Sequence, residues 1–418
     1  MVFPASSDQN LTNVKARAAR LVYDANPLGA SIAVTMTNTA RWLGVTTALF
    51  GAGLACAAFG LLEVHQFSPR LVDSLMQPDK IVWLYHYTLA HYEINYFQYG
   101  FVKRALLSNL FAPFHGQRWV DATLLFNLVV DATLAALAAV FLTRLWRETR
   151  WPTAAVFTAA TLFGSFGLIN LGSDIGRFDF VLLVMLVGSL AWIRQGAVLG
   201  PALVTAAALL THEIYFFIGV PMLIAYTLDR LHDAARLDRR TVWRHLWPLL
   251  AVVLAVGIAL LLWGRYEPGY QALADRLGRF VFPAAVKVWT RPLEGNVVLV
   301  DQYWRHGVYT GFDVVCGAIV WLLLVALIAV LYRARRASAL ILLTPLAVLP
   351  MYALGTDYAR WCKLGFALLI VAIAFAASDR RLADGMLDRP LVRLLMLGLV
   401  GLPFVPFGIE HAFQMLRP

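Results

Sequence analysis

Charge is what this sequence has least of. Asp, Glu, Lys and Arg make up 14% of its 418 residues, against about a quarter in a soluble globular domain. A surface that is mostly wet is thereby excluded. Cysteine is scarcer still. Cys56, Cys316 and Cys362 lie within or beside apolar runs and show no metal-ligand spacing, so they read as small buried hydrophobes. No repeat period and no low-complexity tract appears along the chain.

What the chain does have is apolar length: 60% of its residues are hydrophobic and its mean hydropathy is +0.68. Two or three soluble domains would fit in this length, but the composition favours a single transmembrane domain over 1–418. The net charge of +10 does not point to nucleic acid, because much of the basic excess falls in short Arg-rich connectors, as insertion topology demands.

A membrane span needs roughly 20 apolar residues. Eleven stretches qualify, at about 42–62, 120–143, 153–172, 178–193, 197–211, 214–228, 246–264, 312–332, 338–354, 363–378 and 393–410. The fourth, fifth and sixth are short, and a re-entrant pair around His212 is an alternative there. A polar segment, 1–41, carries Lys15, Arg17, Arg20 and Arg41 ahead of the first run. It reads as a cytoplasmic N-terminal segment before an uncleaved span. With the N-terminus inside, 20 of the 35 Lys and Arg residues fall on cytoplasmic segments; the connectors among these are short and dense in Arg, whereas the other 15 are spread over longer stretches. The expected fold is therefore all-α, a polytopic transmembrane bundle of about 11 spans.

In this topology the opposite face receives two long segments, 63–119 and 265–311, and three short turns. Amphipathic stretches such as 83–87 and 271–282 suit helices lying at the interface. Each turn carries charged side chains near membrane depth, where they usually have partners or functions. In the first, Asp174 and Asp179 flank Arg177: a carboxylate here can act as general base or hold a divalent ion beside a phosphate, or the turn can simply neutralise itself. The second sets His212 and Glu213 in an apolar stretch of some thirty residues, as a buried hydrogen-bonded pair or as part of a site. The third spaces Asp357, Arg360 and Lys363 by threes, suited to a phosphate or to an interfacial anchor beside Trp361.

The tract 91–104 is the densest mix of polar and aromatic residues. Tyr96 and Tyr99 offer faces for a sugar ring or a lipid tail, Lys103 and Arg104 a grip for an anionic head group, and Glu93 a carboxylate; the alternative is an aromatic belt with snorkelling bases. Asp131, one turn after Asn127 in mid-span, must face the bundle interior, as a polar clasp or a relay.

This layout resembles the GT-C class of integral membrane glycosyltransferases, whose first and fourth outer loops are long and carry interfacial helices. Segments 63–119 and 265–311 occupy those places. The resemblance is one of architecture. It implies a sugar donor linked to polyprenyl phosphate, chemistry at the outer face, and a catalytic acid in the first loop, often with another in the second. Glu93 and Asp174 (or Asp179) stand there. The first loop has no acidic doublet; its other acidic residues are Asp73 and Asp79.

The expected protein is a plasma (inner) membrane glycosyltransferase of the cell envelope, with its active face periplasmic or extracellular. It would move a sugar from a lipid-linked donor to a glycan, lipid or protein acceptor. Glu93 or Asp174 would take the acceptor proton, with Lys103, Arg104, Arg177 and Arg360 stabilising the leaving phosphate. A divalent metal, Mg or Mn, can assist but is not required. A polysaccharide polymerase or ligase is a second enzymatic reading, distinguished by a ladder of products. A transporter or lipid flippase is the non-enzymatic one.

Overall fold

The structure is a computed structural model that describes residues 27–66, 89–164, 167–169, 175–277, 289–290, 298, 300–302, 304–305, 311–355 and 357–401. Among these, helices follow one another without a β-strand: α1 (Pro27–Gln66), α2 (Tyr96–Tyr99), α3 (Gln117–Glu148), α4 (Trp151–Leu162), α5 (Phe178–Arg194), α6 (Leu199–Thr211), α7 (Tyr215–Ile218), α8 (Val220–Asp233), α9 (Arg239–Trp263), α10 (Gly269–Leu277), α11 (Gly311–Arg333), α12 (Met351–Leu354), α13 (Tyr358–Ser378) and α14 (Pro390–Gly401). A 3-10 run, Leu340–Val348, precedes α12.

Four helical stretches are long and apolar enough to cross a membrane: Thr39–Ala58, Arg118–Glu148, Arg239–Trp263 and Arg360–Ser378. Their packing differs sharply. Only 11% of the apolar window of α9 is buried, against 56% of that of α13. Leu254, Leu261 and Leu262 of α9 stand 62–74% exposed, a liability in water but the ordinary state of a side chain facing hydrocarbon. The chain is an all-helical membrane protein in which α13 is central and α9 peripheral.

Local sequence explains where elements stop. Asp238 caps α9, its carboxylate accepting from the Thr241 N–H at 2.9 Å, and such a cap satisfies one of the helix's orphan donors. Gly196, at φ +86, follows α5, the left-handed conformation that glycine adopts at least cost. Two stretches depart from the expected continuous helices. The helix expected over 153–172 ends at Leu162, where Gly164 and Gly167 let the chain fold back, the Leu168 N–H donating to the Thr161 carbonyl at 2.8 Å. The helix expected over 338–354 is a 3-10 run and a short α-helix instead. Pro345 and Pro350 each withhold a backbone donor and so break the α-helical ladder.

Two cores result. The larger joins α5, α6, α8, α11, the 3-10 run, α13 and α14. The smaller unites the expected outer segments: Leu89, Tyr92, Val102 and Phe111 of the first pack with Tyr266, Leu273, Leu277 and Trp289 of the second, over Trp119 and Phe178 at the starts of α3 and α5. Gly264 at the end of α9 accepts from the Lys103 N–H at 2.9 Å. The described parts of the two long segments thus form one cap over one end of the bundle. Residues 83–87, Asp73 and Asp79 lie outside the described residues, as do 278–282 of the amphipathic stretch 271–282. The described part of that stretch belongs to α10.

Candidate functional site

Three connectors meet under this cap, and the cap itself adds Arg104. Asp179 sits in the first turn of α5, and Asp357 and Arg360 at the start of α13. The Arg360 guanidinium forks onto Asp179, its Nε and Nη2 each 2.6 Å from a carboxylate oxygen, and reaches Asp357 through Nη1 at 3.3 Å. Arg177 lies 3.6 Å from Asp357. The described charges of the turn 172–179 pair across the bundle with those of α13. Asp174 lies outside the described residues.

His212 ends α6 and brings in the third connector. Its Nε2 is 3.2 Å from Arg360 Nη2, its Nδ1 lies 3.5 Å from Glu213, and the Ile214 N–H points at Nδ1 from 3.1 Å. A neutral ring has one proton for two nitrogens. If Nε2 accepts from Arg360, the proton on Nδ1 faces Glu213. If Nδ1 accepts from Ile214, Nε2–H faces a guanidinium. A second proton would oppose a donor in either case. Burial first, and then the charges of Arg104 and Arg360, hold His212 well below the ordinary histidine range despite Glu213. The ring is neutral at physiological pH.

Glu213 is gripped by Arg104 through Nε, at 3.0 and 2.8 Å from its two oxygens, and through Nη2. Burial raises the Glu213 carboxyl, but Arg104, His212 and Lys103 outweigh it and hold the group well below the usual carboxylate range. Arg104 makes this contact from a left-handed backbone, φ +64. Such a conformation costs a non-glycine residue about 1–3 kcal/mol. The charge-assisted fork offsets it.

Arg360 and Arg104, both candidates for a phosphate, each fork onto a carboxylate, as a charge largely withdrawn from water must be paired.

Beside Arg360 begins a cavity of about 430 Å3 between α3, α5 and α13. Its mouth carries Arg177, Arg360, Lys363 and Asp179, with Asp357 held between Arg177 and Arg360. Its walls are apolar, with Phe141, Leu183 and Phe375 among them, and Arg144 and Arg194 line its far end. A phosphate with a long hydrocarbon tail is complementary to this shape. Asp131 is buried and does not line the groove. The clasp in α3 is Asn127, which accepts from the Tyr92 hydroxyl at 2.7 Å and donates to the Thr123 carbonyl.

Of the other first-loop candidates, Tyr96 and Tyr99 pack in or against the smaller core. Glu93 is half-buried and acts on Tyr99, whose hydroxyl is raised to about 12 by burial and then by Glu93, against the pull of Arg276. The Tyr96 hydroxyl, also raised to about 12 by burial, has no hydrogen-bond partner among the described residues, and its ring stacks on Phe101 at 5.5 Å. Tyr99 lines a separate basin beneath the cap.

Among the described residues no group of three or more His, Cys, Asp or Glu converges to hold a metal ion. Cys56 and Cys362 are buried free thiols.

No protein-family model, curated protein or solved structure matches the chain.

A second ionic cluster escaped the sequence reading. Arg381, fully buried, donates to the Ser338 carbonyl at 2.5 Å and to Asp233 at 2.5 and 3.2 Å. Asp229, also fully buried, accepts from Ser338 Oγ and from the N–H groups of Leu340 and Ile341. Asp379 receives Tyr226 and lies 3.1 Å from Arg194. The one signal for it was an isolated Asp at the end of an apolar run, here the run 214–228.

Proposed function

We propose that the chain is a membrane glycosyltransferase of the GT-C kind. It would use a polyprenyl-phosphate-linked sugar as donor and a cell-envelope glycan, lipid or protein as acceptor. About eleven passes, an inside N-terminus and an outward-facing cap complete this reading. The observation that carries it is the groove: Arg177, Arg360 and Lys363, with Asp179 and Asp357 between them, at the mouth of an apolar slot. A phosphate head would take the mouth and an isoprenoid tail the slot.

In this mechanism the acceptor hydroxyl gives its proton to Glu93 or Asp174 as its oxygen bonds to the sugar's anomeric carbon. The bond from that carbon to the phosphate oxygen breaks, and the polyprenyl phosphate leaves with the electron pair. Arg177 and Lys363 meet the charge that grows on it, where preorganised cations act most strongly. Asp179, locked by Arg360, holds the mouth in shape.

The test is transfer from a polyprenyl-phosphate sugar by the purified protein. Glu93→Gln or Asp174→Asn should lower turnover by about two to four orders of magnitude, the usual worth of a general base. Wild-type turnover in both variants would reject the assignment. A second reading, a lipid flippase, is favoured by one observation: Arg144 and Arg194 give the groove a cationic far end as well. Headgroup translocation in vesicles without sugar transfer would select it.

A further inference from the structure

A second cavity lies away from the groove, where the cap meets the end of α9. It measures about 360 Å3, and Gln98, Tyr99, Phe101, Trp263, Tyr266 and Arg276 are among its lining residues. Its size falls in the range of roughly 300–1,000 Å3 typical of small-molecule sites.

Its walls are fixed. Tyr99 and Tyr266 are buried in the smaller core, edge to face at 6.0 Å. The Tyr266 N–H donates to the Trp289 carbonyl at 2.9 Å. The Gln98 N–H donates to the Asn95 side chain at 3.0 Å, capping α2. Against this frame stand two open aromatic faces, Trp263 at 61% and Phe101 at 38% exposure.

The polar groups are arranged unevenly. Arg265 lies 3.6 Å from Glu267, so that pair is balanced. Arg276 instead donates to the Gln98 carbonyl at 3.1 Å and lies over the Tyr99 ring at 5.9 Å. Among the described residues neither partner is a carboxylate, so Arg276 sets a guanidinium beside open rings. A hydrocarbon tail would gain nothing from Gln98, Glu267 and Arg276. A sugar ring has an apolar face for an aromatic and hydroxyls for polar neighbours, and an acidic sugar also answers the guanidinium.

We propose that this basin binds an acidic saccharide, one ring stacked on Trp263 and its carboxylate or phosphate held by Arg276. It deepens the transferase reading, on which it rests, by giving the acceptor glycan a place distinct from the donor groove.

The experiment is a calorimetric titration of the full chain in nanodiscs of neutral lipid with tetragalacturonic acid, and with cellotetraose as the neutral probe. Tetragalacturonic acid should bind saturably and more tightly than cellotetraose. Trp263→Ala and Arg276→Gln should each weaken it by about tenfold, the scale of one lost stacking or guanidinium contact, while Trp263→Phe should retain most of the affinity. Absence of saturable binding, equal binding of both probes, or affinity unchanged in both variants would overturn the proposal. So would displacement of the saccharide by nanodiscs of phosphatidylglycerol through the same two residues, which would make the basin a lipid-headgroup site. The titration contains no donor and reads no turnover. Binding without any transfer by the wild type would reject the transferase reading and leave the basin standing. Transfer in a protein that does not bind the saccharide would overturn the basin alone.

Discussion

The two ionic clusters stand at opposite ends of α13, whose 21 residues span about 30 Å at 1.5 Å per residue. Both contain arginines forked onto carboxylates, yet they differ in what else they touch. The Arg381 cluster is stitched to backbone: Asp229 accepts from the first N–H groups of the 3-10 run, and Arg381 donates to the Ser338 and Asp229 carbonyls. It ties α8, the 3-10 run and the segment after α13 together, and its arginine is fully buried. In the Arg360 cluster the described contacts of Arg360 are side chain to side chain, Asp357 remains 41% exposed, and the mouth opens into the groove. Charges saturated by backbone hold a fold. Charges saturated by one another beside a cavity leave room for a ligand.

That comparison breaks most visibly with Arg381→Met. Removing one partner of a buried ion pair costs about 3–5 kcal/mol, and here it would also leave the Ser338 carbonyl without this donor. The variant should fail to yield folded protein, read by size-exclusion chromatography and thermal unfolding of the purified chain. Arg360→Met should destabilise for the same reason by orphaning Asp179, which is nearly inaccessible. The double variant Asp179→Asn with Arg360→Met sharpens the contrast. It should regain most of the stability while sugar transfer stays down by about 100-fold or more, because the positioned carboxylate is gone. Recovery of transfer with stability would mean that the Arg360 cluster is as structural as the other.

Acid should act on the Arg360 end next. His212 takes a proton in the unfolded chain below its ordinary 6.5 but resists it in the folded site. The unfolded state then binds more protons, so stability falls as pH drops through about 6.5. Glu213 adds a second loss below its ordinary 4.5, as its paired carboxylate is finally protonated on the way to its lower folded value. Unfolding temperatures of the purified protein should decline from about pH 7 toward 5, and His212→Asn should flatten that part of the curve. The smallest effect belongs to Asp357→Asn. A partly exposed pair is worth about 0–1 kcal/mol, so its stability should barely move.

Much of the fold was readable as hydrophobic length. The stretches 42–62, 120–143, 246–264 and 363–378 overlap the four helices long and apolar enough to cross a membrane, because a spanning helix needs an unbroken apolar run. The two departures followed prolines and glycines, whose local effect competes with the length of the run. The candidate site was legible only as a set. Arg104, Arg177, Asp179, His212, Glu213, Asp357 and Arg360 were all singled out, and the structure brings them to one end. Their pairing was not legible. Arg104 finds Glu213 across 109 positions and Arg360 finds Asp179 across 181, a choice made by helix packing rather than by local spacing. Glu93 belongs to the cap, where its charge acts on Tyr99. The basin went unread because Trp263, Arg265 and Tyr266 matter only once the first segment folds over them.

The most direct measurement is the affinity of polyprenyl phosphate for the purified protein, read by native mass spectrometry, in two paired variants. Arg177→Gln with Lys363→Gln strips the mouth of the groove, and Arg144→Gln with Arg194→Gln strips its far end. The phosphate head belongs at the mouth, so the first pair should lose about tenfold or more in affinity, the scale of charge-assisted contacts, and the second pair little. Equal losses, or a loss confined to the far-end pair, would contradict a head seated beside Arg360.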